Sequence, residues 1–194
     1  MKILKIVSIS LTAFILASCS LTATTPIIRS GVDQTLTINE PAPAGTHVSN
    51  VKIEMGAGTW KLSGGTNQLL EGSIVYNVEA WKPVLTRDTT SVTLSQKISS
   101  NITIPQGSYK NDWQLKLGTM PVNLTINAGA SEAKLELGGL SITNLKISDG
   151  ASMSTVSFSQ PNLTTMDTFT YNTGASNVHL EGLGNARVTT LDFG

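Results

Sequence analysis

The sequence predicts an all-β protein, built as a β-solenoid-like stack of short strands and hairpins with about four rungs. One pattern, an alternating apolar pair followed by Gly-Ala and then Ser or Gly, returns four times along the chain. Apolar and polar residues alternate through most segments after Val51, which is the period of a β-strand. Charged residues make up only 13% of the chain, and Thr, Ser, Asn and Gly are frequent, as is typical of exported β-structure.

The four copies of the repeat keep the same phase. Their apolar pairs are Val51 and Ile53, Leu124 and Ile126, Leu145 and Ile147, and Phe169 and Tyr171. The glycines that follow are Gly56, Gly129, Gly150 and Gly174, and an aliphatic residue returns six positions later at Leu62, Leu135, Val156 and Leu180. We predict a strand, a tight turn at the glycine, a second strand and a return segment in each copy. The glycine would permit a positive φ or a close backbone approach, and like positions would form columns in the stack.

The remaining segments divide the chain into four predicted regions. Residues 1–18 are predicted to be a lipoprotein signal peptide, and 19–46 a tether with a first strand at "TLTIN", 35–39. Residues 47–117 are predicted to form an N-terminal β region, ending after a long polar loop at 99–112 and the strand "WQLKL". Residues 118–194 are predicted to hold the regular part of the solenoid.

The amino-terminal segment is typical of an export signal. Lys2 and Lys5 precede an apolar run that is shorter than the roughly 20 residues of a membrane span. The run ends in Leu16-Ala17-Ser18-Cys19, which resembles the bacterial lipobox. That resemblance implies cleavage before Cys19, acylation of the cysteine with chains such as palmitate, and anchoring to the outer face of the cytoplasmic membrane or to the outer membrane. The alternative is an ordinary secretory signal with an incidental cysteine.

Charge and motif content argue against several function classes. Thirteen basic and thirteen acidic residues are spread without a basic patch, so nucleic acid is not an expected partner. No zinc-ligand pair, phosphate loop or nucleophile motif occurs, and no cofactor is expected. The candidate ionisable residues are assigned to surface, strand or turn positions: His47, His179, Glu132, Glu136 and Asp88. An aspartate inside the glycine turn, Asp149, occurs in one copy of the repeat only. We therefore predict that the protein is not an enzyme.

Three tryptophans precede the regular repeat and allow two interpretations. Trp60, Trp81 and Trp113 could stack sugar rings if they lie exposed on a flat β face. Alternatively, they plug the first end of the stack, which the apolar strand phase of Trp60 and Trp113 favours.

Several quoted segments resemble the toast-rack family in order and spacing. They are "IEMGAGTWKLSGG", "LLEGSIVYNVEAWKP", "WQLKL" and "PVNLTINAGASEAKLELGGLSITNLKISDGAS", and the resemblance covers roughly 47 to 194. That family includes outer domains similar to the Lia F type cell-wall-active antibiotic response proteins, together with bacterial lipoproteins. The resemblance implies stacked β-hairpin layers and no assigned catalytic residues. Lia F type proteins modulate a sensor kinase, so it also implies an envelope-stress role as an alternative.

Together these observations predict a lipid-anchored, non-catalytic envelope protein acting as a binding, scaffolding or adhesin-like module. The alternatives are a glycan-binding module and a component acting with a sensor kinase. The expected partners are the membrane, through lipid on Cys19, and an envelope protein or glycan. The last strand, "VTTLDFG", has Leu191 and Phe193 in the apolar phase and carries no cap. Its edge is predicted either to be covered by "TLTIN" or to pair with a second copy or another partner.

Overall fold

The computed structural model describes residues 28–45, 47–96 and 107–194, and these residues form one extended β-structure. The predicted signal peptide and Cys19 lie outside the described residues. The strands are β1 Gln34–Glu40, β2 Ser49–Thr66, β3 Leu70–Tyr76, β4 Pro83–Arg87, β5 Ser91–Gln96, β6 Asn111–Gly118, β7 Val122–Glu136, β8 Ile142–Ser157, β9 Met166–Thr173, β10 Asn177–Glu181 and β11 Val188–Phe193. A single helical turn, α1 Leu183–Ala186, and a 3₁₀ turn at Glu79–Trp81 complete the elements. The all-β, solenoid-like fold class is confirmed.

The repeat is a parallel stack in strict register. β2 pairs with β7 and β7 pairs with β8, each over most of its length, so that every copy lies directly on the next. Val51 faces Leu124, Leu124 faces Leu145, and Leu145 faces Phe169 across neighbouring strands. The spacing read from the sequence therefore predicts the hydrogen-bond register residue by residue.

Each long strand bends at its glycine and so contributes to two faces of the molecule. The first face contains β4, β5, the leading halves of β2, β7 and β8, and then β9 and β11. The second face contains β1, β3, β6, the trailing halves of β2, β7 and β8, and then β10. Apolar side chains from both faces belong to one buried core, which holds the columns headed by Val51, Ile53 and Leu62. Alternation of inward apolar and outward polar residues follows from the strand period of two.

The tight turn predicted at each glycine is wrong for three of the four copies. β2, β7 and β8 continue through Gly56, Gly129 and Gly150 as uninterrupted strands, because the residues directly before and after each glycine stay paired with the neighbouring copy. In the fourth copy the strand does break, since β9 ends at Thr173 and β10 begins at Asn177.

Close backbone approach, rather than positive φ, explains the corner glycines. None of the four is among the residues with positive φ. A Cβ on Gly129 would lie 2.3 Å from the carbonyl oxygen of Gly56, and one on Gly174 would lie 2.5 Å from that of Gly150. The same approach is looser at Gly150, at 3.1 Å from the Gly129 oxygen. The glycines thus form a column along the bend, in which Gly129, Gly150 and Gly174 each leave room for the glycine carbonyl of the copy before.

Antiparallel strands close the first end of the stack, which we call the head: β1, β3, β4, β5 and β6. β1 pairs with β3, β3 with β6, and β4 with β5, all antiparallel. The predicted strand "TLTIN" is confirmed as part of β1, but its position at the head excludes the suggestion that it covers the last strand. The predicted boundary at residue 118 falls on the last residue of β6, and strands from both sides of it share one sheet.

The return segments are fixed by buried polar contacts. Asn162 is fully buried; its Nδ2 donates to the carbonyl oxygens of Ile142 and Thr164, and its Oδ1 accepts from the Ile142 amide at 2.9 Å. In the next return segment Asn185 Nδ2 donates to the Phe158 carbonyl oxygen. These amides satisfy backbone groups that leave the strand ladder. Within the part of the chain that the structure describes, no helix has the length and apolar character to cross a membrane.

Substitution of a corner glycine tests the close approach. We expect Gly129→Ala to lower the free energy of unfolding by about 1–3 kcal/mol, because the new methyl group overlaps the Gly56 carbonyl and forces the rungs apart. Gly150→Ala should cost less, since the same contact is longer there. Gly184→Ala is the control, because a Cβ at that position meets nothing within 4 Å. Urea unfolding would measure all three, and equal midpoints for Gly129→Ala and Gly184→Ala would contradict the packing argument.

Candidate functional site

The outer side of the second face forms a broad open groove of about 870 Å³. Six strands reach it, β1, β3, β6, β2, β7 and β8. Their outward side chains end in polar groups, while carbon atoms contribute most of the exposed area. One row runs straight across these strands and on to β10 in hydrogen-bond register: Thr37, Ser73, Gln114, Lys61, Lys134, Thr155 and His179. We call this surface the polar groove. A groove of this kind offers many hydrogen-bond donors and acceptors at fixed spacing.

Three lysines from adjacent strands project from the polar groove. Lys61 and Lys134 lie directly opposite each other on β2 and β7, and Lys116 is a diagonal neighbour of Lys61 on β6. All three are exposed, and within residues 28–45, 47–96 and 107–194 none of them has a carboxylate within 4 Å. Like charges that face each other across strands are unfavourable by a few tenths of a kcal/mol or more. The ammonium groups are therefore available to an external ligand.

Carboxylates border these lysines and make the surface mixed in charge. On β7, Lys134 lies between Glu132 and Glu136. Glu136 accepts hydrogen bonds from Ser157 Oγ at 2.8 Å, from the Ser159 hydroxyl and amide, and from the Gly138 amide. Partial burial alone would raise the pKa of Glu136, but these hydrogen bonds outweigh it and lower that pKa. Glu136 is thus held ionised, with its oxygens occupied by Ser157 at the end of β8 and by Gly138 and Ser159 in two return segments.

A second polar cluster lies at the glycine corner of the third copy, around Asp149. Its buried carboxylate accepts hydrogen bonds from Tyr171 Oη at 2.6 Å, from Ser152 Oγ at 2.6 Å and from Ser176 Oγ at 3.0 Å. The hydroxyl of Thr173 also donates to it. These hydroxyls come from the third and fourth copies, so one carboxylate joins the last two rungs.

The electrostatics of this cluster follow from the hydroxyl donors. Burial alone would raise the pKa of Asp149, but the hydrogen bonds from Ser152, Thr173, Tyr171 and Ser176 outweigh it and lower that pKa. Burial and the hydrogen bond to Asp149 both raise the pKa of the Tyr171 phenol. A charged carboxylate with a neutral phenol is the stable state, which suits a structural junction. The sequence singled out Asp149 as an exception to the repeat but gave no sign of its partners, which belong largely to the next copy.

The tryptophans are placed very differently from one another. Trp60 and Trp113 are neighbours in register and are 2% and 0% exposed, so neither ring can stack on a sugar and the glycan-stacking interpretation is wrong for both. They fill the core near the head, where Trp113 Nε1 donates to Asn111 Oδ1 at 2.8 Å. Trp81 is only partly buried and packs edge-on against Tyr109, with ring centroids 5.3 Å apart.

The other ionisable candidates do not converge. Asp88 Oδ1 accepts the amides of Thr90 and Ser91 in the β4–β5 turn, which confirms its predicted place in a turn. His179 and Glu181 both lie on β10, with 3.0 Å between His179 Nε2 and Glu181 Oε1. His47 is exposed and precedes β2. Among the described residues there is no group of three side chains suited to hold a metal ion.

Comparison with known proteins identifies the family. The family model described as the N-terminal domain of toast_rack, DUF2154, matches residues 29–181. The chain belongs to the toast-rack family. This match confirms the toast-rack resemblance drawn from the repeat and its flanking strands. A search of curated proteins finds no match.

One solved structure shares this architecture at low sequence identity, and a second aligns more weakly. A candidate cell adhesion protein from Clostridium sporogenes is 13% identical, with a TM-score of 0.61, over 84% of this chain and 99% of its own. A candidate adhesin from Bacteroides fragilis aligns over 87% of this chain and 100% of its own at 11% identity, with a TM-score of 0.33. The first likeness shows a shared fold, and the second score is too low to carry an argument.

Acidification tests the Asp149 junction of this toast-rack chain. The folded pKa of Asp149 lies below the ordinary value of about 4, so its hydrogen bonds stabilise the protein above that pH and are lost as pH falls through the folded pKa. Asp149→Asn should lower the free energy of unfolding by about 1–3 kcal/mol at pH 7. The difference from the parent should shrink below about pH 4. Asp167→Asn, at an exposed position, is the control. A pH-independent difference would show that the carboxylate charge is not involved.

Proposed function

We propose that the protein is a lipid-anchored, non-catalytic module of the cell envelope that binds or scaffolds other envelope components in the manner of an adhesin. The observation that carries this proposal is the polar groove, a wide surface built on strands that are locked in register. Such a surface presents fixed donors and acceptors over several strands, which suits a long or flat partner better than a small substrate. Binding would then cost little ordering of the protein itself.

Glu136 beside the groove and Asp149 at the glycine corner support a binding role over catalysis. General acid–base chemistry needs a carboxylate or imidazole that is free to exchange a proton with a substrate. Glu136 is occupied by Ser157, Ser159 and Gly138, and Asp149 is occupied by hydroxyls at the corner. Among the described residues the three groove lysines have no carboxylate partner, so they are better suited to pair with acidic groups or to hydrogen-bond hydroxyl groups of a ligand.

Adhesion fits the shared fold as well. The Clostridium sporogenes structure, whose architecture this chain shares, carries a name that points to cell adhesion. An adhesin-like role here would place the polar groove outside the membrane, held near the surface by acyl chains on Cys19. The segment between Cys19 and β1 would then act as the tether.

A glycan-binding role is the second candidate, and the aromatic pair at Trp81 and Tyr109 favours it. Tyr109 is 50% exposed and meets Trp81 edge-on, so together they present an angled aromatic surface beside β1 and β3. Sugar rings stack on such surfaces through their apolar faces. In this version of the proposal Trp81 keeps the role that the other two tryptophans cannot fill.

Lipid attachment is tested on the mature protein. Mass spectrometry should find Cys19 as the first residue with acyl chains, and labelled palmitate should enter the protein. Cys19→Ser should abolish the label because the thiol that accepts the lipid is lost. Ser20→Ala, next to the same site, should leave labelling intact. An unlabelled parent chain that begins at another residue would refute the anchor.

Charge reversal in the polar groove tests the binding role. Lys61→Glu together with Lys134→Glu should weaken retention on host envelope fragments or on the positive spots of a glycan array by about tenfold, equivalent to about 1.4 kcal/mol. Lys146→Glu is the matched control, because Lys146 is an exposed lysine on the first face. Trp81→Ala addresses the glycan alternative separately. If the groove variant binds as the Lys146→Glu variant does, the groove is not the binding surface.

A further inference from the structure

The tail of the stack, formed by β10 and β11, carries apolar side chains whose counterparts are buried in earlier rungs. Leu191 and Phe193 are 41% and 51% exposed. The residues that precede them in the same columns, Phe169 and Tyr171, are almost completely buried. Each column of the first face thus ends on a side chain that has a neighbour on one side and lacks the cover that the preceding rungs receive.

A shallow cavity of about 310 Å³ lies beside this exposed pair. Phe193 and Tyr171 line it from the first face, and Val178 and Leu180 line it from the second. Val178 and Leu180 are partly buried residues packed against the core. The cavity is therefore the open end of the hydrophobic core itself, with an apolar wall from each face.

The backbone of β11 is also unpaired along one edge. β11 pairs with β9, and among the described residues it has no strand on its other side. Asp192 is the only charged residue within the strand, so the edge lacks the lysines and prolines that usually block pairing. An unpaired edge beside exposed apolar side chains favours the addition of a further strand.

We propose that the tail is a docking surface for a second copy of this chain. In this arrangement β11 of one copy pairs antiparallel with β11 of the other about a two-fold axis. The two open cores meet end to end, and Leu191 and Phe193 of both copies become buried. The assembly closes as a dimer, since a two-fold interface uses the same surface on both partners.

The head does not offer a matching surface, which favours tail-to-tail over head-to-tail association. At the head, Ile38 is 2% exposed, and Leu36 and Leu85 are already packed against the core. The outer strands there also carry the Arg87–Glu40 ion pair at 2.7 Å. An apolar tail set against this end would bury charges without new partners. A second tail supplies both the apolar residues and the free strand edge.

Side-chain phase and charge select one antiparallel register. Directly opposite residues must share a face, so the axis passes through a residue rather than between two. An axis at Asp192 would place two carboxylates opposite each other, and an axis at Thr190 would set Phe193 beyond the partner strand, opposite its Arg187. An axis at Leu191 avoids both problems. It places Leu191 opposite Leu191 of the other copy, and Asp192 opposite Thr190 of the other copy.

Cysteine cross-linking tests this register in the intact chain. Residues opposite each other in an antiparallel pair have Cα atoms about 4.5–5.5 Å apart, which suits a disulfide. Leu191→Cys should therefore give a disulfide-linked dimer in envelopes treated with a mild oxidant. Met153→Cys is the matched control, because Met153 is a large apolar residue, 64% exposed, on another surface. The parent chain reports any contribution of Cys19. Monomeric Leu191→Cys, or equal cross-linking of Met153→Cys, would overturn the proposal.

Charge variants at Thr190 give a second, independent readout on the purified full-length chain in detergent. Thr190→Lys places an ammonium opposite Asp192 of the other copy and should tighten the dimer at least about threefold in sedimentation, whereas Thr190→Asp should loosen it by a similar factor. Thr190 is exposed, so both variants should keep the melting temperature of the parent. A parent chain that stays monomeric at high concentration, or equal dissociation constants for the two variants, would sink the proposal.

Discussion

The bend at the corner glycines is the constraint on which the rest of the structure depends. From the second copy onward, each glycine leaves space for the carbonyl oxygen of the preceding glycine; a Cβ on Gly129 would lie only 2.3 Å from the Gly56 oxygen. Because no side chain intervenes, the strands bend at the same position and stay paired with one another before and after the bend. A shift of one residue would turn the apolar side chains of a strand outward. The glycine column and the apolar columns therefore enforce the same register.

Polar side chains are buried near the two ends of the glycine column. Near the head, Gln96 Oε1 accepts the Gly56 amide at 3.1 Å and the Asn111 side chain at 2.9 Å. At the other end, Asp149 collects hydroxyls from the last two copies. In both places buried atoms are satisfied by several partners, which limits the cost of their burial. Such networks tie the less regular rungs to the regular ones.

The sequence predicted the parts of this fold that repeat and missed parts that do not. The constant position of Ile53, Ile126 and Ile147, three residues before the glycine of each copy, predicted the columns, since a parallel stack brings equal positions together. The uninterrupted bend was not predicted, because the sequence pattern is the same for a glycine in a turn and for a glycine that packs against a carbonyl group. The antiparallel head was foreseen only as individual strands. Its pairings join residues as distant as Gln34 and Tyr76, and no local pattern records them.

The candidate site could not be predicted from the sequence for a related reason. Lys61 and Lys134 belong to different copies, and only the register of β2 and β7 makes them neighbours. The strand phase of Trp60 and Trp113 correctly predicted that both point inward, but nothing local distinguished the partly buried environment of Trp81. The partners of Asp149 likewise come mostly from the following copy, so their meeting depends on the stack.

The two ends of the stack differ because strand direction changes at one of them. At the head, antiparallel β3 and β4 interrupt the parallel register, so the columns stop against strands whose side chains do not repeat the pattern. At the tail, β10 and β11 keep the parallel direction of the rungs before them. A parallel rung presents the same apolar phase on its free side as on its paired side. The repeat that stabilises the interior therefore also makes its last copy suitable for further pairing, whereas the outward polar positions remain free to vary without disturbing the columns.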